Sequence, residues 1–124
     1  MPIVTILVLQ GHDPARKTEL LRAAGQAIED CIGSPRSGVR VMLQELAPEH
    51  VLLAGQIGEQ LVQYQVFLIE GRPPSPKAAL IAALHTAARE ILGVRGDQVR
   101  VVISEIPKTD IGLNDGITAL AAGR

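Results

Sequence analysis

Pro2, directly behind the initiator methionine, is a residue with chemistry of its own. Freed at the start of a chain, its nitrogen is a secondary amine in a rigid ring. Burial near cations disfavours the protonated form and lowers the pKa. Such an amine is a base near pH 7 and, having taken a proton, an acid that can hand it on. Behind a retained Met1 the same nitrogen is an amide, and Pro2 is only a strand-start residue. Three arginines are the other candidates. Arg40 and Arg100 sit in matching triplets, Val39-Arg40-Val41 and Val99-Arg100-Val101, and Arg72 follows Gly71. The planar fork of an arginine fits both oxygens of a carboxylate. The plainer reading of each is a surface ion pair, worth ~0–1 kcal/mol. His50, His85 and Cys31 have no metal-ligand spacing among them. His85 falls mid-helix, a surface position, and Cys31 on the buried helix face. Lys77 follows Gly-Arg-Pro-Pro-Ser-Pro, which is no Gly-rich phosphate cradle. No metal and no cofactor is implied.

The elements that must position these residues come in two copies. The triplets are 60 residues apart, and the same offset carries Gly11 onto Gly71, Leu20 onto Leu80, Ile32-Gly33 onto Leu92-Gly93 and Glu45 onto Glu105. Each copy reads strand, helix, strand. In the first, residues 2–9 are an apolar strand suited to cover on both faces. Asp13-Pro14 opens a helix that buries Leu20, Leu21, Ala24, Ala27, Ile28, Cys31 and Ile32 and ends at Gly33 and Pro35. Residues 39–46 are the second strand. In the second copy, residues 63–70 are a strand. Ser75-Pro76 starts a helix bearing Leu80, Ile81, Leu84, Ala88, Ile91 and Leu92, and Val99 to Ile106 is the last strand. Val51 to Gly58 reads as a hairpin and Asn114-Asp115-Gly116 as a turn. Glu45 and Glu105 fall near strand ends, where a structural or interface role is expected.

The chain divides into units 1–60 and 61–124 that share one domain of 124 residues. Parallel crossovers predict an α/β (α+β) fold: two tandem β-α-β units forming a four-stranded sheet with two helices on one face. The other face carries Met42 and Val102 beside arginines and calls for cover by other subunits. The chain is 47% hydrophobic but 2% aromatic, with a net charge of −1. Few rings and no basic excess argue against nucleic-acid binding. Mean hydropathy is +0.23, yet no apolar run approaches the ~20 residues of a membrane span. The start has neither a basic region nor a cleavage site of a secretory signal, and the single cysteine fits a reducing compartment. A soluble, cytoplasmic protein is the expectation.

The order of Pro2, apolar strand, glycine, amphipathic helix and Val-Arg-Val strand, twice over, resembles the tautomerase superfamily. It resembles above all the fused, tandem form of the 4-oxalocrotonate tautomerase-like subunit. The resemblance implies a mixed sheet of tautomerase/MIF-like fold, removal of Met1 and catalysis by Pro2. The substrate it implies is a 2-hydroxydienedioate such as 2-hydroxymuconate. It further implies that arginines from more than one subunit hold this dicarboxylate. Arg72 matches one of them; His12, its counterpart in the first copy, departs from the pattern. Arg40 and Arg100 both match the other. The aromatic residue of the family's late hairpin is matched by Val51 and Ile111, which keep the wall apolar. Val62 matches Pro2 but is internal, so each chain should carry one working proline within a homotrimer. If His12 opens one end of the pocket, phenylenolpyruvate-like monoacids become the alternative substrate. Relatives that hydrate haloacrylates (dehalogenases) or decarboxylate use an extra carboxylate, where this chain has Leu53, Leu113 and Gly38. A non-catalytic binding protein of the same fold is the reading that a retained Met1 would favour.

Overall fold

The computed structural model describes residues 2–124. Met1, whose removal the resemblance implies, lies outside them. The strands are β1 (Ile3–Leu9), β2 (Arg40–Leu46), β3 (Leu52–Leu53), β4 (Gln56–Ile57), β5 (Val62–Ile69) and β6 (Val99–Ile106). The helices are α1 (Pro14–Ile32) and α2 (Pro74–Leu92). The four long strands form one sheet in the order β2-β1-β5-β6, and β3 and β4 make the small hairpin. β1 and β2 are parallel, as are β5 and β6, while β1 and β5 meet antiparallel. The mixed sheet therefore arises where the two copies join.

Both helices lie on one face. Leu20, Ala24 and Ile28 of α1 and Leu80, Leu84 and Ala88 of α2 pack on Val4, Ile6, Val8, Val62, Tyr64, Val66 and Leu68. The six helix positions pair off at the 60-residue offset, so the same side-chain slots are filled in each copy. Each large aliphatic side chain so buried contributes roughly 1.5–3 kcal/mol. Only one face of β1 is fully covered within the chain: Ile3, Thr5 and Leu7 are half-buried. On that second face Met42, Phe67 and Val102 stay 50%, 38% and 43% exposed, an apolar surface suited to other subunits.

Three local expectations are corrected. α2 starts at Pro74, ahead of Ser75-Pro76, behind Pro73 and with no side-chain cap. The ring-fixed φ of consecutive prolines supplies the first turn without one. α1 by contrast is capped by Asp13, whose Oδ1 accepts from Ala15 N at 3.0 Å. Ile81, assigned to the apolar face, is exposed. His85 is half-buried rather than a free surface residue, and its Nε2 lies 3.0 Å from Gly96 O, joining α2 to the turn before β6. Cys31 is half-buried at the edge of the core; burial, and secondarily Asp30, push its thiol up. Tyr64 is fully buried with no hydrogen-bond partner for its hydroxyl, and burial drives its ionisation upward.

After β6 the chain folds back over one end of the sheet. Leu113 N donates to Ile117 O at 2.8 Å and Ala119 N to Ile111 O at 3.0 Å. Ile111 and Ala119 bury against Ile69, with Ile3, Ile106 and Leu113 around them.

Candidate active site

The antiparallel β1–β5 pairing sends the two β-α-β units in opposite directions. Ile3 sits opposite Phe67, and Val8 opposite Val62. Pro2 and its counterpart Val62 are therefore at opposite ends of the sheet, about 20 Å apart at ~3.4 Å per residue. The candidate site residues sort onto these two ends.

Pro2 is buried. Its carbonyl accepts from Arg40 N at 3.1 Å, so the parallel register of β2 fixes Arg40 beside it. Arg72 reaches the same end because β5 finishes there. Its Nη1 donates to Ile69 O at 3.0 Å, and Gly71 makes the turn with φ +109°, a conformation that costs glycine little. Ile111 is brought to the same end by packing on Ile69. Arg40, Arg72 and Ile111 thus gather with Pro2. Arg40 lines a cleft of about 310 Å³ with Gly38, Leu113 and Asn114. Arg72 lines another of about 390 Å³ with Ile69 and Lys108. Neither arginine forms an ion pair among the described residues, so both keep guanidinium N–H groups for a carboxylate, Arg72 beyond those of the Nη1 that holds Ile69 O.

Arg100, His12 and Val51 gather at the other end. Arg100 stands opposite Gln63, next to Val62. His12 Nε2 lies 3.1 Å from Gln60 Oε1. Val51 is buried and accepts from Gly58 N at 2.9 Å, closing the hairpin that runs into β5. Within one chain these three are separated from Pro2, and His12 does not open the pocket around it. Arg100, like Arg40, forms no ion pair among the described residues, whereas its neighbours at this end are engaged. Glu59 Oε2 accepts from Gln98 Nε2 at 3.0 Å and lies 3.7 Å from Arg95 Nη2. The segment that links the two units closes the place where Pro2 stands in the first.

Each copy ties its helix start to a strand end by the same ion pair, Lys17–Glu45 at 3.1 Å and Lys77–Glu105 at 2.9 Å. The role of the repeated glutamates is structural, with one difference. Glu105 Oε2 also accepts from Gly71 N at 3.2 Å, which pins the turn carrying Arg72. The Lys77 bond first, and then the Gly71 N–H, hold the Glu105 carboxyl below its ordinary range. Sequence reading missed this second bond, and it missed Ser34 and Lys108 at the Pro2 end. Comparing each with its offset partner, Val94 or Pro48, would have singled them out.

Among the described residues no group of three or more His, Cys, Asp and Glu side chains could hold a metal. No helix among them is long and apolar enough to cross a membrane.

Known proteins show the same build. A family model described as "Tautomerase enzyme" matches residues 2–59 and again 65–119. A solved structure named "Q0 fused 4-OT wild type symmetric trimer" has 46% sequence identity and a TM-score of 0.95. The match covers 98% of this chain and 99% of that one. The structure named "Crystal Structure of Pt0534 Inactivated by 2-Oxo-3-pentynoate" has 39% identity and a TM-score of 0.96 at the same coverage. A 2-hydroxymuconate tautomerase of Pseudomonas putida is 31% identical over 61 residues, 49% of this chain and 97% of that protein. The whole of that short relative corresponds to half of the present chain.

Proposed function

The chain belongs to the tautomerase family of isomerase enzymes, and from that premise we propose that Pro2 is the general base and acid for a 2-hydroxydienedioate such as 2-hydroxymuconate. The observation that carries the reading is the convergence of Pro2, Arg40 and Arg72 at one end of the sheet, with both arginines free of internal carboxylates. The similarity to a 2-hydroxymuconate tautomerase supports the substrate class.

The mechanism follows from the groups present. With Met1 removed, the Pro2 nitrogen takes the proton of the 2-hydroxyl. Electron density moves from that oxygen along the conjugated chain as the C2 carbonyl forms. Pro2 then delivers the same proton to a distant carbon and returns to the free amine, so the reaction consumes nothing. Arg72 and Arg40 hold the carboxylates and draw density toward one end, stabilising charge that develops in transit. Two nearby guanidinium groups also favour the unprotonated amine. Lacking a free amine, the Val62 end is inert in this scheme. Relatives named as fused trimers support a homotrimer that covers the Met42, Phe67 and Val102 face. A cytoplasmic setting completes the reading, with Cys31 a free thiol.

Intact mass together with an ultraviolet assay on 2-hydroxymuconate tests it. The wild type should lack Met1 and turn the substrate over. Pro2→Ala should lose on the order of 10²–10⁴-fold in kcat/KM, the usual share of a general acid–base group. Undiminished turnover by Pro2→Ala overturns the mechanism, and a monomer by light scattering overturns the assembly.

A further inference from the structure

The cleft that holds Arg72 carries more than an arginine. Ser34 lines it just past the end of α1, and Lys108 lines it just past β6. Ser34 is 92% buried, being 8% exposed, and its Oγ has no hydrogen-bond partner among the described residues. A buried hydroxyl left unpaired costs about 1–3 kcal/mol, which a bound acceptor would relieve. Lys108 is fixed at its backbone: its N donates to Glu70 Oε1 at 3.4 Å and its carbonyl accepts from Leu120 N at 3.1 Å. Arg124 lines the same cleft, and Glu70 is its one carboxylate side chain. The carboxyl end of α1 adds partial negative charge. Arg72 and Lys108, with the Arg124 side chain set against its own main-chain carboxylate, oppose these and leave a small positive excess.

The internal duplication supplies a control. At the 60-residue offset Ser34 becomes Val94, Arg72 becomes His12 and Lys108 becomes Pro48. These three groups are replaced at the end that has no proline amine, while Arg40 keeps its counterpart in Arg100. The fold does not need them, because the second copy packs the same way without them. Ser34 also lines the adjoining cleft of Arg40, so the residue stands between the two arginine clefts, its hydroxyl just beneath their surface.

We propose that Ser34 and Lys108, with Arg72, form a subsite for the substrate carboxylate remote from the reacting enol, the Ser34 hydroxyl donating to it. This rests on the dicarboxylate reading above and makes the two residues determinants of diacid over monoacid. Calorimetric titration with trans,trans-muconate and with sorbate tests it, since sorbate replaces one carboxylate of the same trans,trans six-carbon diene by a methyl group. Wild type should bind muconate about tenfold more tightly than sorbate, the usual effect of one charged hydrogen bond. Ser34→Val, which installs the counterpart residue, and Lys108→Met should each weaken muconate about five- to tenfold and leave sorbate within about twofold. Ser34→Thr, which keeps the hydroxyl at the bulk of valine, should restore muconate binding. Equal losses for both ligands, no loss for muconate, no preference in the wild type, or failure of the threonine variant to recover overturns the subsite. Turnover of 2-hydroxymuconate is read separately. Discrimination without turnover keeps the subsite and removes the reaction, whereas turnover without discrimination does the reverse.

Discussion

The Pro2 end and the Val62 end of the sheet are one pattern used for two purposes. At the first, a buried proline shares the sheet end with two arginines that form no ion pair among the described residues, and clefts open between the α1–β2 turn and the C-terminal segment. At the second, a valine stands in the proline's place. His12 is engaged by Gln60, and Glu59 takes up Gln98 and lies near Arg95. The core beneath is unchanged, with the same helix slots filled at the same offset. On the proposed reading the Val62 end carries no catalysis, and Gln60 and Glu59 of the linker take up His12 and Gln98 there.

Paired substitutions at equivalent positions break or sharpen that contrast. The largest effect belongs to Pro2→Ala, set against Val62→Ala, which should cost stability alone and leave kcat/KM within about twofold. Arg72→Ala should lower kcat/KM by about 10–100-fold, the scale of a charged hydrogen bond, with KM raised and kcat reduced. His12→Ala should change neither by more than about twofold. Arg40→Ala should lower kcat/KM by about tenfold on the same grounds, because the β2 register fixes Arg40 beside Pro2. Arg100→Ala should do less, and a reversal of that order would assign the work to an arginine delivered across a subunit boundary.

The smallest effect concerns the clamp on the Arg72 turn. Glu105→Ala should raise KM by about threefold through the freed Gly71–Arg72 turn, a small effect because exposed ion pairs contribute little. Glu45→Ala, with no such bond to Gly11, should leave KM unchanged. The Glu105 carboxyl is depressed in the folded chain. Its contribution is present while it is ionised and is lost as pH falls through its folded value. The KM of wild type should accordingly drift toward that of Glu105→Ala on acidification, and the two should separate again toward neutral pH.

Most of the fold was legible because duplication doubles every signal. Periodicity placed α1 and the strands, and Gly33 and Gly93 ended the helices where the αL caps are found. The start of α2 was not, because prolines were read as following a capping serine when they themselves set the first turn. The site was legible by type and only partly by place. Val-Arg-Val marks both Arg40 and Arg100, and the antiparallel join of the two units decides which lies beside Pro2. Ser34 carries no motif. Its difference from Val94 at the 60-residue offset marks it in the sequence, but the burial of its hydroxyl without a partner among the described residues is not written in local sequence.

Mapping of a covalent label tests the central claim most directly. One structural relative is named as inactivated by 2-oxo-3-pentynoate, whose alkyne, conjugated to a ketone, is an electrophile for an unprotonated amine. Incubation of the present enzyme with this reagent, followed by intact mass and peptide mapping, should give a single adduct per chain, on the nitrogen of Pro2, with activity falling in proportion. Complete inactivation with Pro2 unmodified, or full labelling of Pro2 with activity retained, would contradict the assignment of the chemistry to that end of the sheet.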